Sequence, residues 1–266
     1  MPYQTLLVDA AESVLTVTLN RPERKNAINP AMWEELRSVF LRCETDDDIR
    51  VMVVTGAGGD FCSGADVSAP ASPRHPLAEI RKISDVAMVL HMISKPTIAK
   101  IRGVAVGAGA NLAFGCDLVV AAAGARLSEI FTQRALSVDF GGTWLLPRMV
   151  GLHRAKELAF FGDIFTAEQA AEYQMINRVV ADDELDDFVA GWARRLAEGP
   201  RIAQSLNKRM LNESYAHSMS QALELEAVSQ ISNLATADTR EAAAAWLTRR
   251  PPSYTGKSLL TRDQGS

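Results

Sequence analysis

Polar and apolar residues alternate along SVLTVTL, Ser13 to Leu19, the period of a strand with one face buried. The polar stretch NRPERKNAI that follows predicts a turn. NPAMWEELRSVF then places Met32, Leu36, Val39 and Phe40 on one stripe at helical spacing, with Asn29 as cap and Pro30 at the first helical position. VMVVTG, Val51 to Gly56, is a continuous apolar run with β-branched residues and predicts a strand buried on both faces. TIAKIRG, Thr97 to Gly103, and LVVAAA, Leu118 to Ala123, read as two further short strands. From about residue 143 the pattern becomes helical. Helices are expected over Thr143 to Val150, Arg154 to Phe161, Ala167 to Gln174 and Asp183 to Glu198. Three more follow over Ile202 to Glu213, Met219 to Ala235 and Thr239 to Arg249, and Pro251 with Pro252 stops the last. Only INRVV, Ile176 to Val180, interrupts this part as a strand. The chain divides into an α/β core over residues 1–199 and a helical part over residues 200–266.

Composition narrows the function classes. The 266 residues, 47% hydrophobic and 23% charged, suit a globular chain with ample core. A net charge of -4 argues against a nucleic-acid partner or an anionic membrane surface. VAVGAGANLAFGCDLVVAAAGA resembles a membrane span in apolarity, but its glycines, Asn111 and Asp117 favour a buried helix followed by a strand. The N-terminal residues show no export signal, and Cys43, Cys62 and Cys116 lie far apart, so reduced thiols and a cytoplasmic location are expected. His75, His91, His153 and His217 have no metal-ligand spacing, and no metal is expected. SAPASPRHP, Ser68 to Pro76, reads as a Pro- and Ser-rich loop.

The informative grammar occurs twice. VMVVTGAGGDFCSGADV is a buried strand, a glycine-rich turn and an expected helix start near Ala65. TIAKIRGVAVGAGANLAFG repeats it, with a helix start near Ala108. Dinucleotide binding is demoted, because Phe61 and Leu112 stand where GxGxxG needs its third glycine. Nucleotide hydrolysis falls likewise, because Ala65 and Asp66 replace the lysine and hydroxyl of a P-loop, and no GxSxG elbow exists. What remains is two backbone N–H groups able to converge on one carbonyl oxygen, an oxyanion hole; the alternative is two tight strand-to-helix turns. One acid, Asp139, stands among the apolar and small residues of LSVDFGGTW. An apolar cavity would raise its pKa to a value useful for proton transfer; the alternative is a helix cap accepting from the N–H groups of FGGT.

LNRPERKNAIN (Leu19 to Asn29), FCSGADV (Phe61 to Val67), KPTIAKIRGVAVGAGANLAFGCDLVVAA (Lys95 to Ala122), DFGGTWLLPRMVG (Asp139 to Gly151) and SYTGK (Ser253 to Lys257) together resemble the crotonase, or enoyl-CoA hydratase/isomerase, superfamily. The resemblance implies a crotonase-like spiral of ββα units with a helical C-terminal trimerisation region, assembled as a homo-trimer or hexamer. It implies acyl-CoA thioester substrates, coenzyme A being part of the substrate, and no redox cofactor. It puts the oxyanion-hole N–H groups at Ala65 and Ala108, the latter a position where many relatives have glycine. The two glutamates of typical hydratases would fall at Asn111 and Phe131, and neither is an acid here. A register shift of one or two residues would bring Glu129 into play. Asp139 matches the acid/base aspartate of several family isomerases. Isomerisation is therefore favoured over hydration, with an atypical hydratase, a non-catalytic acyl-CoA binder or another CoA-thioester reaction as alternatives. Backbone around Ser63, Ala65, Asp66, Val67 and Ser68 is expected on the adenine side of CoA, with Arg24 and Lys25 at the phosphates. Tyr254 and Lys257 would reach a neighbouring subunit's CoA; each of these charged and aromatic residues also reads as ordinary surface. Asn111 could orient water, Phe131 is placed in the acyl pocket, and the loop from Ala69 to Pro76 is expected to cover it.

Overall fold

The computed structural model describes residues 3–68 and 75–257. The chain opens with β1 (Leu6–Ala11) antiparallel to β2 (Val14–Leu19), and Glu12 and Ser13 make the tight turn at positive φ. The capped helix appears as α1 (Pro30–Thr45), in which Asn29 Oδ1 accepts the Met32 N–H at 2.9 Å. Met32, Leu36, Val39 and Phe40 are wholly buried, as their stripe requires. The strand β3 (Val51–Gly56) follows, then α2 (Pro76–Met92), β4 (Thr97–Ile101), β5 (Val104–Val106), α3 (Ala108–Phe114), β6 (Leu118–Ala122) and β7 (Arg126–Ser128). The second half carries α4 (Gly142–Phe161), β8 (Ile164–Thr166), α5 (Ala167–Glu172), β9 (Arg178–Val180), α6 (Leu185–Ala197), α7 (Arg201–Glu213), α8 (Met219–Leu234) and α9 (Ala237–Thr248).

A six-stranded sheet runs β1-β2-β3-β4-β6-β9, parallel from β2 onward, and a smaller sheet runs β5-β7-β8. The apolar run of β3 is explained by both faces being covered. Met52 and Val54 face the main core with α1, while Val51 and Val53 join Ile98 and Val120 against α6. Burial of Leu185 and Val189 on α6 contributes about 1.5–3 kcal/mol each to that second layer. The fold is mixed α/β with a helical C-terminal region made by α7, α8 and α9.

Several expectations are corrected. No helix begins near Ala65. Residues 62–66 are extended instead, bridging Ile28 on one side and Ala105 on the other, and the next helix is α2. Backbone pairing on both sides holds this segment out, so glycine and small residues there serve close approach rather than a helix start. INRVV is not the one strand after residue 143, because β8 precedes it, a three-residue strand too short for a period. The two helices expected over residues 143–161 are continuous in α4 but for a break at Gly151, whose φ is 72°. The helix α2 was not legible because only Val86 and Leu90 are buried along it. Of the loop expected over the acyl pocket, residues 69–74 lie outside the described residues; His75 caps α2 and Pro76 begins it.

Candidate active site

The segment NRPERKNAIN builds the first wall. Asn26 is fully buried in the left-handed region, where its amide donates to Ala57 O at 2.9 Å and Asp60 O at 2.7 Å. It thereby ties the glycine turn after β3 to the chain entering α1. Beyond that turn, Ile28 N–H donates to Gly64 O and Asp66 N–H to Ile28 O, at 2.8 and 2.9 Å. A parallel bridge made by residues 64 and 66 leaves the N–H of Ala65 pointing to the opposite side, which is exposed.

The second wall is the start of α3. Ala108 is its first residue, so its N–H has no carbonyl one turn back. Gly107 precedes it at φ 55°, a conformation that glycine adopts freely. The two walls touch: a Cβ added to Gly64 would lie 2.9 Å from Val106 O and 3.7 Å from Ala108 N. The structure thus brings the Gly64–Ala65 segment against Ala108, and neither the Ala65 nor the Ala108 N–H has a hydrogen-bond partner among the described residues. The Phe131 ring closes one side, since a Cβ on Gly107 would meet it at 3.7 Å.

One helical turn along α3, Asn111 is fully buried, and its Nδ2 donates to Asp139 O at 3.0 Å and toward Glu129 Oε2 at 3.4 Å. The fit is close, because a Cβ on Gly142 would stand 2.5 Å from Asn111 Nδ2. Asp139 is presented by a sharp reversal in which Phe140 and Gly141 are both left-handed, at φ 49° and 81°. A bulky residue in that region costs on the order of 1 kcal/mol or more. The Phe140 ring stacks on Trp33 of α1 at 5.3 Å, which holds the reversal. The helix-cap alternative for Asp139 fails: Gly141 is the cap of α4, and no protein donor reaches Asp139 Oδ1 among the described residues. Burial alone raises its carboxyl to about 6.

Glu129 is the residue that counting along the sequence left outside. It lies between β7 and the 3₁₀ turn Ile130–Arg134, and its side chain is fully buried. Burial, with the Asp139 charge adding to it, pushes its carboxyl up to about 8. Asp139 ionises first, so its charge acts on Glu129 while a neutral Glu129 leaves Asp139 unaffected. The sequence signal was an acid directly before the apolar pair Ile130 and Phe131 in RLSEIF, but the turn that aims it inward has no signature of its own.

The expected CoA residues divide into two groups. Ser63 N–H donates to Lys25 O and Ser63 Oγ to Arg24 O, so these three adjoin Ala65, and Lys25 Nζ reaches Asp60 at 3.8 Å. The Asp66 carboxylate is held at about 2 by the Ser68 hydroxyl and Arg21, which leaves its backbone as the group to offer; Val67 and Ser68 are exposed. Tyr254 and Lys257 belong to a tail fastened elsewhere, where Asp238 accepts the Thr255 and Gly256 N–H groups. No hydrogen bond or ion pair joins that tail to residues 63–68 among the described residues.

The arrangement sets Ala65 beside the start of α3 and, one turn further along that helix, ties Asn111 to two acidic residues of unequal acidity. The model of the enoyl-CoA hydratase/isomerase family matches residues 9–257. A 1,2-epoxyphenylacetyl-CoA isomerase of Escherichia coli (strain K12) is 39% identical over 258 residues, covering 95% of this chain and 98% of that protein. The crotonyl-CoA hydratase of Syntrophomonas wolfei is 29% identical, covering 97% and 100%. Among solved structures, an enoyl-CoA hydratase from Bacillus anthracis superposes with a TM-score of 0.91 at 31% identity, covering 96% of this chain and 100% of that one. No helix among the described residues is long and apolar enough to cross a membrane.

Proposed function

The chain belongs to the enoyl-CoA hydratase/isomerase family, and we propose that it shifts a carbon–carbon double bond along an acyl-CoA thioester, with Asp139 as the proton carrier. The observation that carries this reading is the Asp139 carboxyl, uncapped and raised to about 6, on a residue whose main-chain oxygen accepts from Asn111, one turn of α3 beyond Ala108. The thioester oxygen accepts from the N–H groups of Ala65 and Ala108. As Asp139 takes a proton from the carbon beside the carbonyl, negative charge moves onto that oxygen, where both donors stabilise it. Asp139 then returns the proton to the γ-carbon, so no atom is gained or lost. A carboxyl near 6 is mostly ionised at neutral pH, yet acid enough once protonated to give the proton back. Hydration would further require an activated water at the β-carbon, and the residues at the two hydratase positions, Asn111 and Phe131, carry no acid. The 1,2-epoxyphenylacetyl-CoA isomerase among the relatives supports isomerisation of an acyl-CoA as the reaction type.

Coenzyme A would lie along residues 63–68 with Arg24 and Lys25 at its phosphates, and would enter as part of the substrate with no further cofactor. A homo-trimer or hexamer would bring Tyr254 and Lys257 to a neighbour's site. Exposed apolar residues on α8 and α9, Met219, Ile231, Trp246 and Leu247 among them, support such self-association. Three free buried thiols suit the cytoplasm.

The test is proton exchange in heavy water with 3-enoyl- and 2-enoyl-CoA esters, followed by NMR. Deuterium is expected beside the carbonyl and at the γ-carbon, with a double-bond shift and no hydroxyacyl product. Asp139→Asn should abolish both. Unchanged turnover in that variant would refute the assignment, and a hydroxyacyl product would move the reading to hydration.

A further inference from the structure

Glu129, Asn111 and Asp139 each bury one oxygen that no protein donor reaches among the described residues: Glu129 Oε1, Asn111 Oδ1 and Asp139 Oδ1. Acceptors cannot satisfy one another unless one of them carries a proton. Among the described residues no lysine, arginine or histidine acts on either carboxyl, and the only charge facing Glu129 is that of Asp139. Two carboxylates with no cation between them do not both ionise at neutral pH; the more buried one keeps its proton until higher pH. Glu129 is wholly inside while Asp139 is partly exposed, which decides the order.

We propose that Glu129 is a positioning residue that works as a neutral carboxylic acid: through its bond to Asn111 it holds the Asp139 turn, and the site operates with Asp139 ionised and Glu129 protonated. This rests on the reading of Asp139 as the proton carrier. The linkage is direct, since the same Asn111 amide nitrogen donates to Glu129 Oε2 and to the main-chain oxygen of Asp139. The proton on Glu129 also keeps a second negative charge away from the enolate that forms next to Ala108. When Glu129 ionises, that charge opposes enolate formation, and its loss of the proton removes a donor from the three orphaned oxygens. Activity should therefore rise with pH as Asp139 ionises, near 6, and fall as Glu129 ionises, near 8.

Two measurements on the full chain decide this, with Glu129→Gln as the conservative variant and Glu129→Ala as the disruptive one. The first is independent of turnover: infrared spectra of the protein labelled with ¹³C-glutamate, wild type minus Glu129→Gln, across neutral to alkaline pH. A labelled carbonyl band of a protonated acid is expected at neutral pH and should vanish on the alkaline side. Absence of that band at neutral pH overturns the proposal whatever the enzyme does, and a wild type showing the band but turning over no enoyl-CoA refutes the reaction instead. The second is the pH profile of kcat/KM. Glu129→Gln should keep neutral-pH activity within about threefold of wild type and lose the alkaline fall, while Glu129→Ala should lose tenfold or more at every pH. An alkaline fall that persists unchanged in Glu129→Gln also overturns the proposal, because a merely structural role would leave it in place.

Discussion

Replacing Glu129 by glutamine should stabilise the protein, by an amount that depends on pH in a stated way. In the folded chain burial raises this carboxyl to about 8, whereas its ordinary value is 4.5. A group whose folded value is raised favours folding only in its protonated form: its contribution is full below about 4.5 and is lost as pH rises toward 8. At pH 7 the unfolded chain ionises the group across an interval of about 2.5 pH units that the folded chain forgoes, a penalty of about 3 kcal/mol at 1.36 kcal/mol each. Glutamine keeps the acceptor for Asn111, adds donors for the orphaned oxygens and ionises in neither state. The variant should thus match wild type near pH 4 and exceed it by about 3 kcal/mol at pH 7, equivalent to roughly 6 °C in Tm for a chain of this size. The gap should reach about 5 kcal/mol above pH 8 and then stay level. Urea unfolding followed by tryptophan fluorescence, at one protein concentration and a series of pH values, reads this directly. A gap that does not change with pH, or a variant less stable than wild type at pH 8, would refute the reasoning.

The other expectations are local. Ala108→Pro keeps a residue tolerated at the first position of α3 but removes one of the two donors proposed for the thioester oxygen; kcat should drop about 10²–10³-fold while circular dichroism stays that of wild type. Gly142→Ala pushes a methyl group against Asn111, 2.5 Å from its Nδ2. It should lower stability by about 1–3 kcal/mol in denaturant titration and lower activity as well, because Asn111 must turn away from Asp139. Asn29→Ala removes the cap of α1 and should cost about 1 kcal/mol in the same titration, with activity per folded molecule unchanged.

What could be read from the sequence was whatever depended on neighbours in the chain. The stripe of α1, its Asn29 cap and the two-faced run of β3 follow from spacing alone and stand in the structure where spacing put them. Asp139 was legible because a lone acid among apolar residues is conspicuous, although the left-handed Phe140 that aims it, and the Trp33 ring that holds Phe140, belong to tertiary contact. Residues 62–66 misled, since glycine and small residues preceding a helix look the same as glycine and small residues in an extended segment pressed between two neighbours. Glu129 was out of reach of direct counting because β7 ends one residue before it and the 3₁₀ turn that follows resets the facing of each side chain.

The extended segment around Ala65 has a consequence for how this protein can vary. With Ile28 occupying one side, the Ala65 N–H stands like the outermost rung of a ladder, and a thioester that accepted from it, as proposed, would take the place of a missing strand. Such a rung is main chain. It recognises a carbonyl and is blind to what the carbonyl is attached to, and substitutions that preserve the bridge leave it intact. Discrimination among acyl groups, and the choice of which carbon receives the proton, must then reside in the side chains across the gap. A scaffold so divided can change its chemistry by relocating a single carboxyl while its grip on the substrate stays as it was.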